Sequence, residues 1–545
     1  MKSIRIFSLI LLAAAAVSCS ESFLDTEPLT SKTDGNYYTT PEEMSTALVG
    51  CYDALQLIWS GDGWGLPIAT TIMSDQCFGG TGVSDVDDAR MIDEFDKSVL
   101  PTEQNLYEGN WANYYQGIFR CNKLLMNMET PDWKGQLDLK AEIEGEARFL
   151  RAFFYFDLVR MFERVPLLTV PTIESVPQAH PDSTYTLITN DLLFAAENCT
   201  DKTYGQIGST EYGHATQWAA KSLLARVFLF YTGYYGKSDL VGLVTQAEAL
   251  AHLEDVITKS GHGLVENFAD LWPAAATYEA AKKGLPISQN TYAGETNKEV
   301  VFAIKYTYTS DYNGNTDGNG WMVMNGLRSQ AWAASGYGMG WGACSVIPEV
   351  YTSWDSKDTR REASIMAIAE EGINFTKIKD AKEYSGYFTK KYIPTCDSTG
   401  TDRIVGLGGV DLMIGQFQDY FAIRYADVLL MAAELGSPNA LQYVNEVRIR
   451  AKVTPVASVD KDVIYEERRL ELAFEGHRYW DLLRYDNTLQ YAADAVSFTG
   501  TVKTGGIVKD KIINGSNLIA TRGLFQIPNN QITLSNYVLT QNAGW

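Results

Sequence analysis

Histidine, basic charge and long apolar runs are scarce in this chain, and each scarcity argues against a class of function. The five histidines are scattered among 545 residues, and neither HExxH nor GxSxG occurs; no zinc-peptidase helix and no nucleophile elbow is encoded. Gly336-Tyr-Gly-Met-Gly340 lacks both the GxGxxG spacing and a P-loop lysine, so it is no phosphate cradle. Basic residues number 45 against 67 acidic ones, with no basic block and a formal net charge of −22, which argues against nucleic acid as a partner. Seven cysteines, at 19, 51, 77, 121, 199, 344 and 396, match no Cys-x-x-Cys zinc spacing and read as dispersed small apolar residues rather than a disulfide framework. The apolar run from Ile6 to Val17 falls short of the roughly 20 residues a helix needs to cross a bilayer.

That run is informative in another way. Lys2 and Arg5 precede it and small residues follow it up to Cys19, the layout of a secretion signal. Ala16-Val-Ser-Cys19 resembles a bacterial lipobox, which implies removal of residues 1–18 and acylation of Cys19. Several acyl chains, each worth about 0.8 kcal/mol per buried methylene, give lasting attachment. The remainder, 46% apolar and 21% charged over the whole chain, has the composition of a globular protein with a large core.

Helical periodicity dominates from Thr40 to about Gly261. Thr40-Pro41-Glu42-Glu43 combines an N-cap, a proline at the first helical position and acids facing the positive end of the dipole. Further helices are expected at about 104–128, 137–163, 182–197, 214–234 and 243–259. The clearest carries Leu150, Phe153, Phe154, Leu158 and Met161 on one seam, with Glu144, Arg148, Arg151 and Arg160 on the other face, which reads as packing and solvation. Residues 267–419 change to short β-like runs between Gly, Asn, Asp and Thr, a loop-rich insert. Helices return at about 421–435, 438–452 and 461–485, and residues 486–545 read as irregular. The expected fold is mainly α: paired helices in an α-solenoid, without a clean repeat of 34 residues, carrying an irregular lobe.

Three segments together resemble the SusD/RagB family of outer-membrane nutrient-binding lipoproteins: Glu146 to Arg160 with Val165-Pro-Leu, Ile423 to Glu434, and Glu466 to Arg484. The opening Cys19 to Asp25 and the close at Leu524 to Pro528 and Gln541 to Trp545 also fit, although Ala543 and Trp545 depart from the family's usual Asn-Pro-Gly-Tyr ending. The resemblance implies tetratricopeptide-like helix pairs supporting a ligand-binding lobe, placement as a lid on a SusC-like TonB-dependent outer-membrane barrel, and capture of oligosaccharides or, in some branches, peptides. It implies no catalysis and no cofactor. Glu475, His477 and Asp481 could be arranged as an acid–base group, but they read better as one helix's ordinary charges.

Sugar binding calls for aromatic faces with polar groups beside them. Trp321, Trp332, Trp341 and Trp354 cluster in or beside a stretch, 312–342, that holds eight glycines, and glycine-rich backbone can present rings on loops. Trp321, Trp332, Tyr337 and Trp341 are therefore candidate ligand contacts, with the competing reading that at least half of the tryptophans form the lobe's own core. An early loop containing Trp64, Asp75, Gln76, Phe78 and Arg90 supplies Asp75 and Arg90 as candidate hydrogen-bonding groups, against an ordinary turn role for Asp75. Asp311 to Gly318 alternates oxygen-bearing side chains, but a register from Asp311 puts Thr316 where a calcium loop has glycine, one from Asn313 puts Gly318 there but Met324 at position twelve, and the bidentate glutamate is missing in both, so no metal site is assigned. Two rival classes remain. A glycoside hydrolase would need a carboxylate pair at a defined separation, and a purely structural helical adaptor would leave the lobe without a purpose.

Overall fold

The first long helix, α1 (Pro41–Ser60), starts where its cap chemistry says it should. The Glu43 N–H donates to Thr40 Oγ1 at 3.2 Å, and the Glu43 carboxylate accepts from the Thr39 N–H and hydroxyl. The computed structural model describes residue 32 and residues 37–60 and 64–545; Cys19 and the leader lie outside the described residues. The helices α2 (Glu108–Met126), α3 (Leu137–Phe162), α4 (Pro181–Asn198), α5 (Gln217–Tyr235) and α6 (Gln246–Lys259) follow. Each packs on its neighbour in the chain, which is how a solenoid grows. α6 opens with a reciprocal capping box between Thr245 and Glu248, satisfying two otherwise orphaned donors.

The solenoid continues across the insert. α7 (Tyr425–Glu434) packs on α6, on α8 (Ala440–Arg450) and on α9 (Lys461–Glu471), while α10 (Arg478–Tyr485) returns to α5. Two boundaries differ from the periodicity reading. Residues 420–424 are a strand, because they pair antiparallel with Val300–Ile304. The helix expected over 461–485 breaks at Phe474 and Gly476, whose φ values of +61° and +77° are left-handed and incompatible with a continuous helix.

The lobe's main sheet has four strands: β1 (Cys77–Gly80), β3 (Ala343–Val346), β4 (Ile365–Ala367) and β5 (Tyr387–Thr389), in the order β1-β3-β5-β4. Between β1 and β3 in sequence lies β2 (Val300–Ile304), whose partner is β6 (Tyr420–Arg424). β1 comes from the early loop, so the lobe borrows a strand from the front of the chain. A second core, separate from the main one, gathers Leu327, Tyr337, Met366, Phe375, Tyr384, Phe388 and Ile393. The segment read as irregular contains a hairpin, β7 (Phe498–Thr504) and β8 (Ile507–Ile513). The six cysteines among the described residues are free and buried.

The charged residues of the three family segments are mostly interior, not solvated. Arg468 is buried between Asp427, at 2.6 Å, and Asp481, at 2.9 Å. Arg424 joins Glu299, Glu471 and Glu475, while Arg360 joins Asp358, Glu467 and Glu471, all fully buried. Arg151 likewise pairs with Asp191, and Arg160 with Asp157, on the face of α3 expected to be solvated. Burial alone would raise the Asp427 and Glu471 carboxyls, but two arginines on the first and three on the second override it and hold both below the ordinary value. Glu475 belongs to this lattice, bonded to Lys391 and Arg424. Burial drives His477 down to about 3, so neither residue is poised as an exposed acid or base.

Candidate functional site

Of the four clustered tryptophans, one is at the surface. Trp321 is 3% exposed, its ring boxed by Tyr392 at 5.2 Å and Tyr420 at 5.8 Å. Trp354 is also buried. Trp332 is half-buried and leans on the second core, closing a tight loop with Tyr337 through reciprocal backbone bonds of 2.8 and 3.2 Å. Tyr337 is fully buried, its hydroxyl donating to Glu371 at 2.7 Å and its ring stacked on Tyr278. Trp341 is 37% exposed. The expectation that Trp321 and Tyr337 face a ligand is therefore corrected: both complete hydrophobic cores, where a large ring stabilises most.

Trp341 is held out by its neighbours. Its N–H donates to the Val323 carbonyl at 2.8 Å, and its own carbonyl accepts from Arg328 at 3.3 Å. The Arg328 guanidinium also grips Asp85 in the early loop, 3.1 and 3.3 Å to its two carboxylate oxygens. Gly82 makes room for that grip, because a Cβ there would lie 2.0 Å from Arg328 Nη2. The loops are joined further by the β1–β3 pairing and by the Thr81 N–H, which donates to the Gly342 carbonyl at 3.0 Å. The early loop and the glycine-rich stretch thus meet, through Asp85 and Arg328 and not through Asp75. Gln330 adds a polar rim, donating to the Asn374 carbonyl and accepting from Thr376.

Asp75 has a different task. Both its oxygens are taken by Arg478, at 2.9 and 2.6 Å, on the wall of a separate surface cavity of about 730 Å³. Burial alone would raise its carboxyl, but Arg478 overrides this and holds it below the ordinary value. It is an ion-pair partner, and the expectation of a free ligand-binding carboxylate is corrected. Arg90 is exposed, pairs with Glu94 at 2.9 Å, and lines a third place, a cleft beside β8. Trp64 is buried with its indole N–H on Asp88 at 2.8 Å, and Trp111 is buried against Phe162. Asp311 and Asn315 spend their side-chain oxygens on nearby backbone N–H groups, as turns do.

Among the described residues one acidic trio, Asp93, Glu94 and Glu383, has ligand-like spacing. The Lys511 ammonium already sits among the three, at 2.8, 3.0 and 2.6 Å, so the site's cation is the protein's own.

A helical solenoid carrying a loop-rich lobe, with one indole exposed beside two clamped loops, defines a mainly α protein of the tetratricopeptide-like class. The chain belongs to the SusD/RagB family: the model for the "SusD family" matches residues 298–545, and that for "Starch-binding associating with outer membrane" matches residues 78–229. It is 25% identical to a SusD-like protein of Bacteroides ovatus, over 93% of this chain and 88% of that one. A SusD-like protein of Formosa agariphila is also 25% identical, over 89% of this chain and 91% of its own length. Among solved structures, a laminarin binding SusD-like protein superposes with a TM-score of 0.71 and 27% identity, covering 93% of this chain and all of the other. Surface glycan-binding protein A from Bacteroides thetaiotaomicron, in complex with laminarihexaose, gives 0.70 and 21%, again covering 93% of this chain and all of its own.

Proposed function

We propose that this protein is a glycan-binding lipoprotein of a bacterial outer-membrane surface, anchored through Cys19, that captures an oligosaccharide and passes it to a SusC-like TonB-dependent transporter without cleaving it. The observation that carries the reading is the exposed Trp341 indole, held beside the Asp85–Arg328 pair where two loops are clamped together. An indole face covers the apolar side of a sugar ring, and the neighbouring carboxylate and guanidinium offer acceptors and donors to its hydroxyls. The laminarin binding relative, at 27% identity, and the laminarihexaose complex support laminarihexaose as the first ligand to try. Among the described residues no helix is long and apolar enough to cross a membrane, and attachment is assigned to the lipid.

The test is calorimetry on the soluble form from Ser20 onward, first with laminarihexaose and then across a glycan array. Saturable binding with the sugar recovered intact is the expected result. A released shorter sugar would overturn the binding-protein reading, and silence across the whole array from a folded sample would overturn the glycan.

A further inference from the structure

Hairpin β7–β8 turns through Gly505 and Gly506, at φ +64° and +76°, the backbone of a two-residue type I′ turn. Such a turn makes Thr504 and Ile507 a hydrogen-bonded pair, and bonded and unbonded pairs alternate from there. Lys503 on one strand, and Val508, Asp510 and Ile512 on the other, therefore point their backbone N–H and C=O groups away from the hairpin. On β7 that outer edge is used, since Lys503 exchanges bonds of 2.7 and 3.3 Å with Tyr384. On β8 the outward groups of Val508, Asp510 and Ile512 have no partner among the described residues.

This bare edge bounds a cavity of about 650 Å³ whose opposite wall is the 80–94 segment. Thr81 lines that wall 6% exposed, and its hydroxyl makes no hydrogen bond. Its φ of +75° is a conformation β-branched residues seldom hold. The rim is aliphatic, with Val83, Val86, Ile507 and Ile512 all exposed. Most charges inside are already matched, Lys511 with its three carboxylates, Lys382 with Asp87 and Arg90 with Glu94; the two others on the lining, Lys509 and Asp510, are of opposite sign and leave no net charge to recruit. No aromatic ring lines the cavity, so it offers a sugar no stacking face.

We propose that this cleft docks an extended, uncharged, aliphatic segment of a partner polypeptide, added as a further strand on β8. Strand addition supplies the missing partners for the edge amides and carbonyls and sets alternate side chains against the Val and Ile rim. A charged segment would have to break ion pairs the cleft has already made, whereas a neutral one leaves them intact.

The probe is a fluorescein-labelled, end-blocked peptide of alternating valine and threonine, titrated by anisotropy onto the chain from Ser20. Saturable binding is expected, with slowed amide exchange at Val508, Asp510 and Ile512. The same peptide N-methylated at alternate residues should bind at least about tenfold more weakly. Asp510→Pro should remove binding with an unchanged melt, because the lost N–H had no partner, while laminarihexaose binding persists. The proposal is overturned by a folded protein that binds neither peptide, by equal binding of both, or by self-association that Asp510→Pro abolishes, which would make the occupant a second copy. Loss of laminarihexaose binding in Asp510→Pro would also overturn it, by making the cleft part of the glycan face.

Discussion

Trp321 and Trp341 belong to one glycine-rich stretch and have opposite environments, 3% and 37% exposed. Removing them should therefore do opposite things. Trp341→Ala should cost glycan binding about 1–3 kcal/mol, the worth of burying a large side chain, with little change in melting temperature. Trp321→Ala should destabilise the fold by about 3–5 kcal/mol, the usual penalty for deleting a core aromatic. Calorimetry and a thermal melt on each variant separate the two effects; a stable, non-binding Trp321→Ala would reverse the assignment. Gly82→Ala is the subtler probe, because the new methyl would displace the Arg328 guanidinium without touching the indole. Weaker binding with an unaltered melt is expected, and unimpaired binding would show that the Asp85–Arg328 pair has no part in holding the ligand.

At the scale of elements, the turn between α9 and α10 is where helical periodicity misleads. Gly476 is left-handed, and a Cβ there would lie 2.9 Å from Pro67 Cα. Gly476→Ala should cost about 1–3 kcal/mol, a strained-backbone magnitude, read as a lower midpoint in urea. The same turn places Glu475 under Arg424, tying α9 to β6. Arg424→Met leaves Glu299, Glu471 and Glu475 facing one another in the interior and should cost about 3–5 kcal/mol. A midpoint unchanged in that variant would mean that Lys391 on Glu475, Arg360 on Glu471, and Arg450 on Glu299 and Glu471 suffice to hold the lattice.

At the scale of the whole molecule, that lattice sets the pH response. Burial would raise Asp427, Glu471, Glu475 and Asp481, yet their arginine partners hold all four below the ordinary value. A depressed carboxylate contributes stability that is present above its unfolded pKa, about 4, and lost as the pH falls through its native value. Elsewhere burial outweighs the neighbouring lysines, Lys511 beside Asp93 and Lys305 beside Glu295 and Asp419, and pushes Asp93 and Glu295 up to about 8 and Asp419 to about 6. Stability from those three is full below the unfolded pKa and lost as the pH rises toward the native values. Melting temperature should accordingly peak on the mildly acidic side, fall steeply below about pH 4 and decline more gently toward about pH 8; a flat profile would show that the lattice does not govern stability. Attachment is tested on cells. Cys19→Ala should move the protein out of the membrane fraction, and mild detergent should co-purify the anchored form with its barrel.

How much was legible follows from how far apart the cooperating residues lie. The cap at Thr40, the helices from α1 to α6 and the family segments are local patterns, and the amino-acid order alone determined them, because helical periodicity and capping act over a few neighbouring residues. Residues 420–424 became a strand because Val300–Ile304 lies beside them, and no local pattern reports a partner so distant in sequence. Nor does the charge on Arg151 or Arg468 say whether it meets water or a buried carboxylate; only packing supplied Asp191 and Asp427. Which tryptophan reaches the surface, which acid clamps Arg328 and which edge of the hairpin stays bare were likewise decided by tertiary structure. Burial and hydrogen-bond partnership are properties of the assembled chain: Asp85 with Arg328, and Thr81 across the cleft from β8, become neighbours only when the loops close.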